Sequence, residues 1–489
     1  MRGRFAPFVV GSGLIALSSV ALLFTAYAAI ERDPWAGFLM TAVVAAALGL
    51  PLRRFGTAAS EPARREALLA VLLLWLVIPI VGSIPFLHSG FFSPLDALFE
   101  SMSGFTTTGA TVLRDFAGFP PTMFMWRAFS QWVGGIGIIV IFISVFPQLA
   151  IAGRQLFFTE APGPTEERLT PRLRNTANTL LVVYGGLTLA CGLSYQLAGM
   201  TPYESVAHAF STVSAGGFSP NPLSFEGSPG AAIDWVAIGF MFLSGVNFAL
   251  QYRVITGRPH LLVRDTEFRA YAVITVVAAA VLTLFLLERF EPIDAIRHAI
   301  FQTLSILTTT GFASTDFGLW SEKPQMVLLM LMFIGGSAGS AAGGVKVVRW
   351  LILLRHTGRE VQRALHPRAV LPVRLGRKPV PEEVLRAVAA FITLYVLLFG
   401  LGTAILVAFG SDFVTAFTAS IAAIGNIGPG LEAVGPMLNF AELHPVSRAV
   451  LIFQMYAGRL EVVTVFVVFT ADWWRIPRRN MWRARSRIR

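Results

Sequence analysis

Ser305-Ile306-Leu307-Thr308-Thr309-Thr310-Gly311-Phe312 is a polar stretch that contains a glycine and lies between two long apolar runs. Three other stretches echo it. Ser103-Gly104-Phe105-Thr106-Thr107-Thr108-Gly109-Ala110 repeats the Thr-Thr-Thr-Gly core. Ser211-Thr212-Val213-Ser214-Ala215-Gly216-Gly217-Phe218 keeps the Gly-Phe ending, and Ala422-Ala423-Ile424-Gly425-Asn426-Ile427-Gly428-Pro429 is the loosest copy. Neighbouring copies lie about a hundred residues apart, a fixed period that marks an internal repeat. The unit reads as apolar helix, short helix, polar glycine loop, apolar helix.

The chain has 489 residues, of which 55% are apolar and 14% charged. Water-soluble domains carry roughly 25% charged residues. Mean hydropathy is +0.65. Several apolar runs reach about 20 residues, enough to cross the roughly 30 Å hydrocarbon core. These features describe an integral membrane protein. The net charge of +11 is parcelled into short loops rather than gathered on a folded domain, which argues against nucleic-acid binding. The lone Cys191 excludes an intramolecular disulfide. The histidines show no metal-ligand spacing, and no nucleophile–base arrangement stands out, so no enzyme is expected.

Two helices open the chain, over 8–30 and 35–51; the first is long, lacks a small-residue cleavage site and reads as retained. The first unit has spans at 67–87 and 119–148, with Pro94-Leu95-Asp96 opening its short helix. The second has spans at 178–199 and 231–252 around Pro202-Tyr203-Glu204. The third has spans at 270–288 and 325–354 around Pro292-Ile293-Asp294. The fourth has spans at 386–409 and 445–471, with Asp412 between them. The fold class is therefore all-α integral membrane. Its expected divisions are 1–60 (two N-terminal helices), 61–174, 175–266, 267–380 and 381–489.

Every other loop is basic. Arg53, Arg54, Arg64 and Arg65 are followed by Arg154, Arg168, Arg172 and Arg174, then by Arg253, Arg258, Arg264 and Arg269. The loop with Arg355, Arg359, Arg363, Arg368, Arg374, Arg377 and Lys378 comes next, and the tail carries Arg475, Arg478, Arg479 and Arg483. Acids such as Asp33, Asp115, Glu226, Asp316, Glu432 and Glu442 fall on the other side. Ten spans with both termini cytoplasmic satisfy the positive-inside rule, and the glycine loops then open outward.

Non-helical backbone at membrane depth is tolerated only where it is buried in protein or lines a watery path. Four such segments suggest one path on a pseudo-fourfold axis. Glycine lets the backbone leave the right-handed region. Carbonyls then replace the hydration shell of a cation, and each short helix aims its negative end at it. A lone Thr-Thr-Gly would mark only a turn or a helix end. Two near-identical copies and two weaker ones at matching places read as a cation filter.

These four loops, Trp126-Arg127 with Gln131-Trp132-Val133-Gly134-Gly135, the glycine run at 335–344 and Gly458-Arg459-Leu460-Glu461 resemble the TrkH branch of the Trk/Ktr/HKT potassium-transporter superfamily. The likeness covers essentially the whole chain, and the two extra N-terminal helices favour this branch over the shorter KtrB branch. The resemblance implies potassium uptake across the bacterial inner membrane, a homodimeric membrane subunit and a cytosolic nucleotide-binding regulatory partner of the TrkA type. Potassium is the implied substrate, and no cofactor is expected in this chain. Carried over residue by residue, the potassium-coordinating segments are Thr107-Thr108-Gly109, Ala215-Gly216-Gly217, Thr309-Thr310-Gly311 and Asn426-Ile427-Gly428.

Gly335, Gly336, Gly339, Gly343 and Gly344 crowd one apolar span. Two glycines would mean close helix packing; this many, with Ser337 and Ser340, suggest a broken helix lining a cavity. The resemblance makes the segment an intramembrane gate. Arg459 lies within the last span, where an ionisable residue usually faces a cavity. It reads as a pore-facing charge, against the alternative of a structural ion pair. Arg127 reads as structural. An ion-coupled secondary transporter, driven by protons or sodium, is the alternative function, although such transporters typically show twofold repeats. Symporter and channel both stay open.

Overall fold

The computed structural model describes residues 4–58, 63–144, 169–228, 230–376 and 378–474. It is almost entirely helical. Two helices, α1 (Phe5–Glu31) and α2 (Ala36–Phe55), pack side by side. A Cβ on Gly11 would lie 2.7 Å from the Gly49 carbonyl oxygen, so the backbones touch. Lipid offers no hydrophobic drive between helices, and close contact of small residues supplies the attraction instead. Phe24 and Phe38 stack edge-on against Trp126, at 5.0 and 5.6 Å between ring centroids, and join this pair to the first unit.

The unit pattern then recurs four times. It is built by α3 (Arg64–Gly82), α4 (Ile84–His88), α5 (Pro94–Phe105) and α6 (Pro121–Ser144), and next by α7 (Leu169–Leu197), α8 (Pro202–Val213), α9 (Ala231–Ser244), α10 (Phe248–Ile255) and α11 (His260–Arg264). The third occurrence has α12 (Thr266–Leu286), α13 (Pro292–Leu307), α14 (Glu322–Met332) and α15 (Val347–Leu365). The fourth has α16 (Glu382–Ala408), α17 (Phe413–Gly425), α18 (Pro445–Arg459), α19 (Val462–Val467) and α20 (Ala471–Trp474). Between the last two, Arg374–Leu375 pairs antiparallel with Lys378–Pro379, a short departure from the all-helical expectation. One apolar core joins the second and third units to parts of the fourth. Another joins the first unit and the N-terminal pair to the fourth.

The short helices start where the sequence signals place them. Pro94, Pro202 and Pro292 are first residues, which suits a position whose N–H has no partner within the helix. Thr201 and Glu204 form a capping box. Asp412 caps α17 by accepting from the Thr415 amide at 2.9 Å.

Among the described residues, not every one of the ten expected spans is a single helix. Among the described residues six helices are long and apolar enough to cross a membrane, and α9 with α10 would add a seventh but for a 104° bend. The expected break at 335–344 is present, since the helix stops at Met332 and resumes at Val347. The spans expected at 231–252 and 445–471 are also broken. Asn247 starts a new helix by accepting from the amides of Ala249 and Leu250, and Glu461 takes φ +69°. The glycines of α6, in contrast, leave it unbroken. They make room: a Cβ on Gly134 would collide with the Phe105 carbonyl oxygen. The stretch through Arg154 and Arg168, the end of the 119–148 span, Arg377 and the tail from Arg475 lie outside the described residues.

Hydrogen bonds from the Thr415 side chain and amide hold the Asp412 carboxyl below the ordinary aspartate range. A depressed carboxyl pKa gives stability that is present above the unfolded-state value and lost as pH falls through the folded one. Asp412→Ala is expected to destabilise the protein by about 1 kcal/mol at neutral pH. Thermal unfolding in detergent should show that difference shrinking on acidification.

Candidate functional site

Each short helix ends in the same backbone motif. In the first loop the Thr108 N–H donates to the Ser103 carbonyl at 2.8 Å and the Thr107 N–H to Gly104 at 2.9 Å. The other three loops repeat both bonds. Gly216 to Ser211, Thr310 to Ser305 and Ile427 to Ala422 are each 2.8 Å. This is a Schellman closure, and it demands a left-handed residue just past the helix. Thr107, Ala215, Thr309 and Asn426 take that conformation, with φ between +53° and +60°. Two residues on, Gly109, Gly217, Gly311 and Gly428 are also at positive φ. A β-branched residue in the left-handed region is a genuine outlier, and such strain gathers at functional sites. Thr107 and Thr309 carry it here.

The loops close a ring. A Cβ on Gly109 would strike the Gly216 carbonyl oxygen, one on Gly217 that of Thr310, and one on Gly311 that of Ile427. One on Gly428 would lie 2.8 Å from the Thr108 carbonyl oxygen. All twelve residues expected at the site are therefore brought together, and their loops touch in cyclic order. Among the described residues, no hydrogen-bond donor reaches the carbonyls of Thr107, Thr108, Ala215, Thr309, Thr310, Asn426 or Ile427. The Thr107 Oγ1 and Asn426 Oδ1 atoms are buried without a partner as well. Buried polar atoms of this kind are normally paired, because desolvating them costs free energy.

The walls behind the ring differ. Behind loop one, the Glu100 carboxylate accepts from Arg127 Nε at 2.7 Å and from the Val112 amide at 3.0 Å, with both side chains buried. The Arg127 guanidinium also lies 4.0 Å from the Phe218 ring centroid. Gln131 spans loop two: its Nε2 donates to the Gly216 carbonyl at 2.6 Å and its Oε1 accepts from the Phe218 amide at 3.1 Å. His208 bonds Ser219 Oγ at 3.1 Å, and His298 bonds Ser314 Oγ at 2.9 Å. Loop four has Ala419 where the other short helices have Glu100, His208 and Gln302, and Asn426 Nδ2 donates to Thr108 Oγ1 and the Met455 carbonyl, each at 3.0 Å. In the sequence Gln131 is one residue of a longer motif; only its contacts reveal a role.

The glycine-rich segment packs against loops three and four. The Gly343 N–H donates to Thr309 Oγ1 at 2.6 Å, and a Cβ on Gly343 would lie 3.1 Å from Asn426 Cβ. Gly335, Gly339 and Gly344 are at positive φ, and a Cβ on Gly336 would lie 2.6 Å from Ala342 Cβ. The kink between α9 and α10 bonds this segment twice, Ser337 N–H to Gly245 at 2.9 Å and Phe248 N–H to Gly339 at 3.0 Å. Arg459 is 3% exposed and donates Nη1 to the Ala341 carbonyl at 3.0 Å, whereas its Nε and Nη2 have no partner among the described residues. Glu461 does not pair with it. That carboxylate meets Arg349 instead, at 2.5 Å.

Removing one member of a buried ion pair strands the other charge. Arg127→Met should destabilise the protein by about 3–5 kcal/mol, and adding Glu100→Leu should restore much of the loss. Thermal unfolding of the single and double variants in detergent measures both.

A profile of the TrkH family, described as a cation transport protein, matches residues 37–476. The chain is 39% identical over 477 residues to the Trk system potassium uptake protein TrkH of Vibrio parahaemolyticus, spanning 94% of this chain and 97% of that one. It is 37% identical over 489 residues to the protein of the same name from Escherichia coli K12, spanning 97% and 100%. The crystal structure of the potassium transporter TrkH from Vibrio parahaemolyticus superposes with a TM-score of 0.89 at 37% identity, over 97% of this chain and 100% of that one. These relatives are named as transporters, not enzymes. The chain is a multi-pass helical membrane protein and belongs to the TrkH family of cation transport proteins.

Proposed function

We propose that this protein takes up potassium across the bacterial inner membrane, with both termini in the cytoplasm, through a filter made of its four glycine loops. The observation that carries this reading is the ring of buried backbone carbonyls that no described donor reaches. A partly dehydrated cation offers such oxygens the charge they lack. The helix C-termini leading into the ring add their negative ends. Potassium is the cation because the relatives carrying this fold are named for its uptake. The filter residues are Thr107, Thr108, Gly109, Ala215, Gly216, Gly217, Thr309, Thr310, Gly311, Asn426, Ile427 and Gly428.

The segment with Gly335, Gly336, Gly339, Gly343 and Gly344 acts as the gate, supported by its bond to Thr309 and its lack of helix. Arg459 is the pore charge, and its unpaired guanidinium hydrogens support that role. From the family resemblance we take a homodimer and a cytosolic nucleotide-binding regulatory subunit of the TrkA type. The name of the relatives, a Trk system, fits an assembly of several components.

Flux of potassium and of sodium into liposomes holding the purified protein, at matched gradients and without a proton gradient, tests the filter. Potassium flux well above sodium is expected, and equal fluxes would overturn the reading. In the same assay Gly311→Ser should lower the potassium-to-sodium ratio about tenfold, equivalent to ~1.4 kcal/mol. Gly428→Ser should do less, because its added Cβ meets its neighbour at 2.8 Å, a longer approach than at Gly311. Arg459→Ala should raise potassium flux, since it removes a buried positive charge that repels a passing cation. A fall in flux with a lowered unfolding temperature would make Arg459 a structural residue instead.

A further inference from the structure

We infer that Glu267 is a positioning residue that latches the glycine-rich segment in the place described above. The inference rests on the gating reading of that segment. Glu267 stands in the first turn of α12, which Asp265 caps. Its Oε1 accepts two backbone amides, Ala338 N–H at 2.7 Å and Val348 N–H at 3.1 Å. One amide lies inside the glycine-rich segment and the other at the start of α15, so a single oxygen ties the two together. Other tethers of the segment come from the α9–α10 kink, from Thr309, from Arg459 and from the start of α15 itself, where the Val347 N–H donates to the Gly336 carbonyl at 3.1 Å; all lie at or beside irregular backbone. Glu267 instead projects from a continuous 21-residue helix. A group held by a rigid element positions its partners more tightly than one on a loop.

The chemistry separates the variants. A carboxylate accepts charge-assisted bonds roughly twice as strong as those to a neutral amide oxygen. Glu267→Gln keeps an acceptor of the same reach, and Glu267→Ala removes it. No hydrogen bond joins Glu267 to the four-loop ring among the described residues, so the latch should govern how much flows and not which ion flows.

The test uses the full-length protein in liposomes, with potassium and sodium flux measured for Glu267→Ala, for Glu267→Gln and for a deletion within residues 336–343. Glu267→Ala is expected to raise potassium flux about tenfold, the effect of shifting a two-state equilibrium by the worth of one or two hydrogen bonds. Glu267→Gln should fall between it and the parent, and both should keep the parent potassium-to-sodium ratio. Glu267→Ala added to the deletion should raise flux no further. Parent-like flux in Glu267→Ala beside a leaky deletion protein would overturn the latch and leave the gate standing. An unchanged deletion protein would overturn the gate and the latch together. If Glu267→Ala does not fold, Glu267→Gln decides: raised flux supports the latch and parent-like flux overturns it.

Discussion

A backbone that leaves the helix inside a bilayer cannot turn to lipid for hydrogen bonds. The four loops and the broken helices answer to that constraint. Each of the four loops satisfies two of its amides with the carbonyls of the helix it leaves, through the same pair of bonds. The broken helices satisfy one another: the kink at Gly245–Phe248 and the segment from Ser337 to Ala341 exchange backbone bonds. What is left over is a set of carbonyls on the loops, collected in one place. The centre of the molecule is thus defined by acceptors that the fold does not satisfy.

Holding that arrangement stores strain. The closure needs a left-handed residue at its turn, and glycine would supply one at no steric cost. The chain uses threonine twice, alanine once and asparagine once. Asparagine tolerates the conformation best, so the fourth loop is the least strained copy and the first and third the most. The support behind each loop differs too, from the Arg127–Glu100 pair to the Gln131 clamp, the two histidines and finally Ala419. The ring has fourfold backbone geometry but four different walls.

The breaks in the later helices serve the same centre. Each bonds the ring or the glycine-rich segment beside it: Gly343 to Thr309, Arg459 to Ala341, and the α9–α10 kink to Ser337 and Gly339. An intact α-helix would present side chains there and keep its amides to itself. Breaking the helix frees amides to bond across units, which couples the second and third units through main-chain contacts, while the Arg459 side chain ties the fourth to the same segment. Substitution alters such contacts less readily than contacts between side chains.

Much of this was legible in the chain because it depends on local pattern. Apolar runs, Pro-x-acid starts and the recurring Thr-Thr-Thr-Gly identify the membrane helices, the short helices and the loops, since span length, capping and positive φ are set by neighbouring residues. The glycine-rich break was legible for the same reason. The kink at Asn247 and the turn at Glu461 were not. Their apolar flanks look continuous, and the bonds that make a break tolerable come from residues about a hundred positions away or from other units. Arg459 could be recognised as unusual, but that Glu461 pairs with Arg349 rather than with it was decided by packing. The roles of Gln131 and Glu267 were equally hidden, because one glutamine or glutamate in a helix says nothing about which distant amide it will meet. Local sequence determined which segments are apolar enough to cross, where the short helices and glycine loops lie, and the glycine-rich break; only the tertiary structure decided the breaks at Asn247 and Glu461 and which irregular backbones face one another, because unsatisfied amides and carbonyls choose their partners in space.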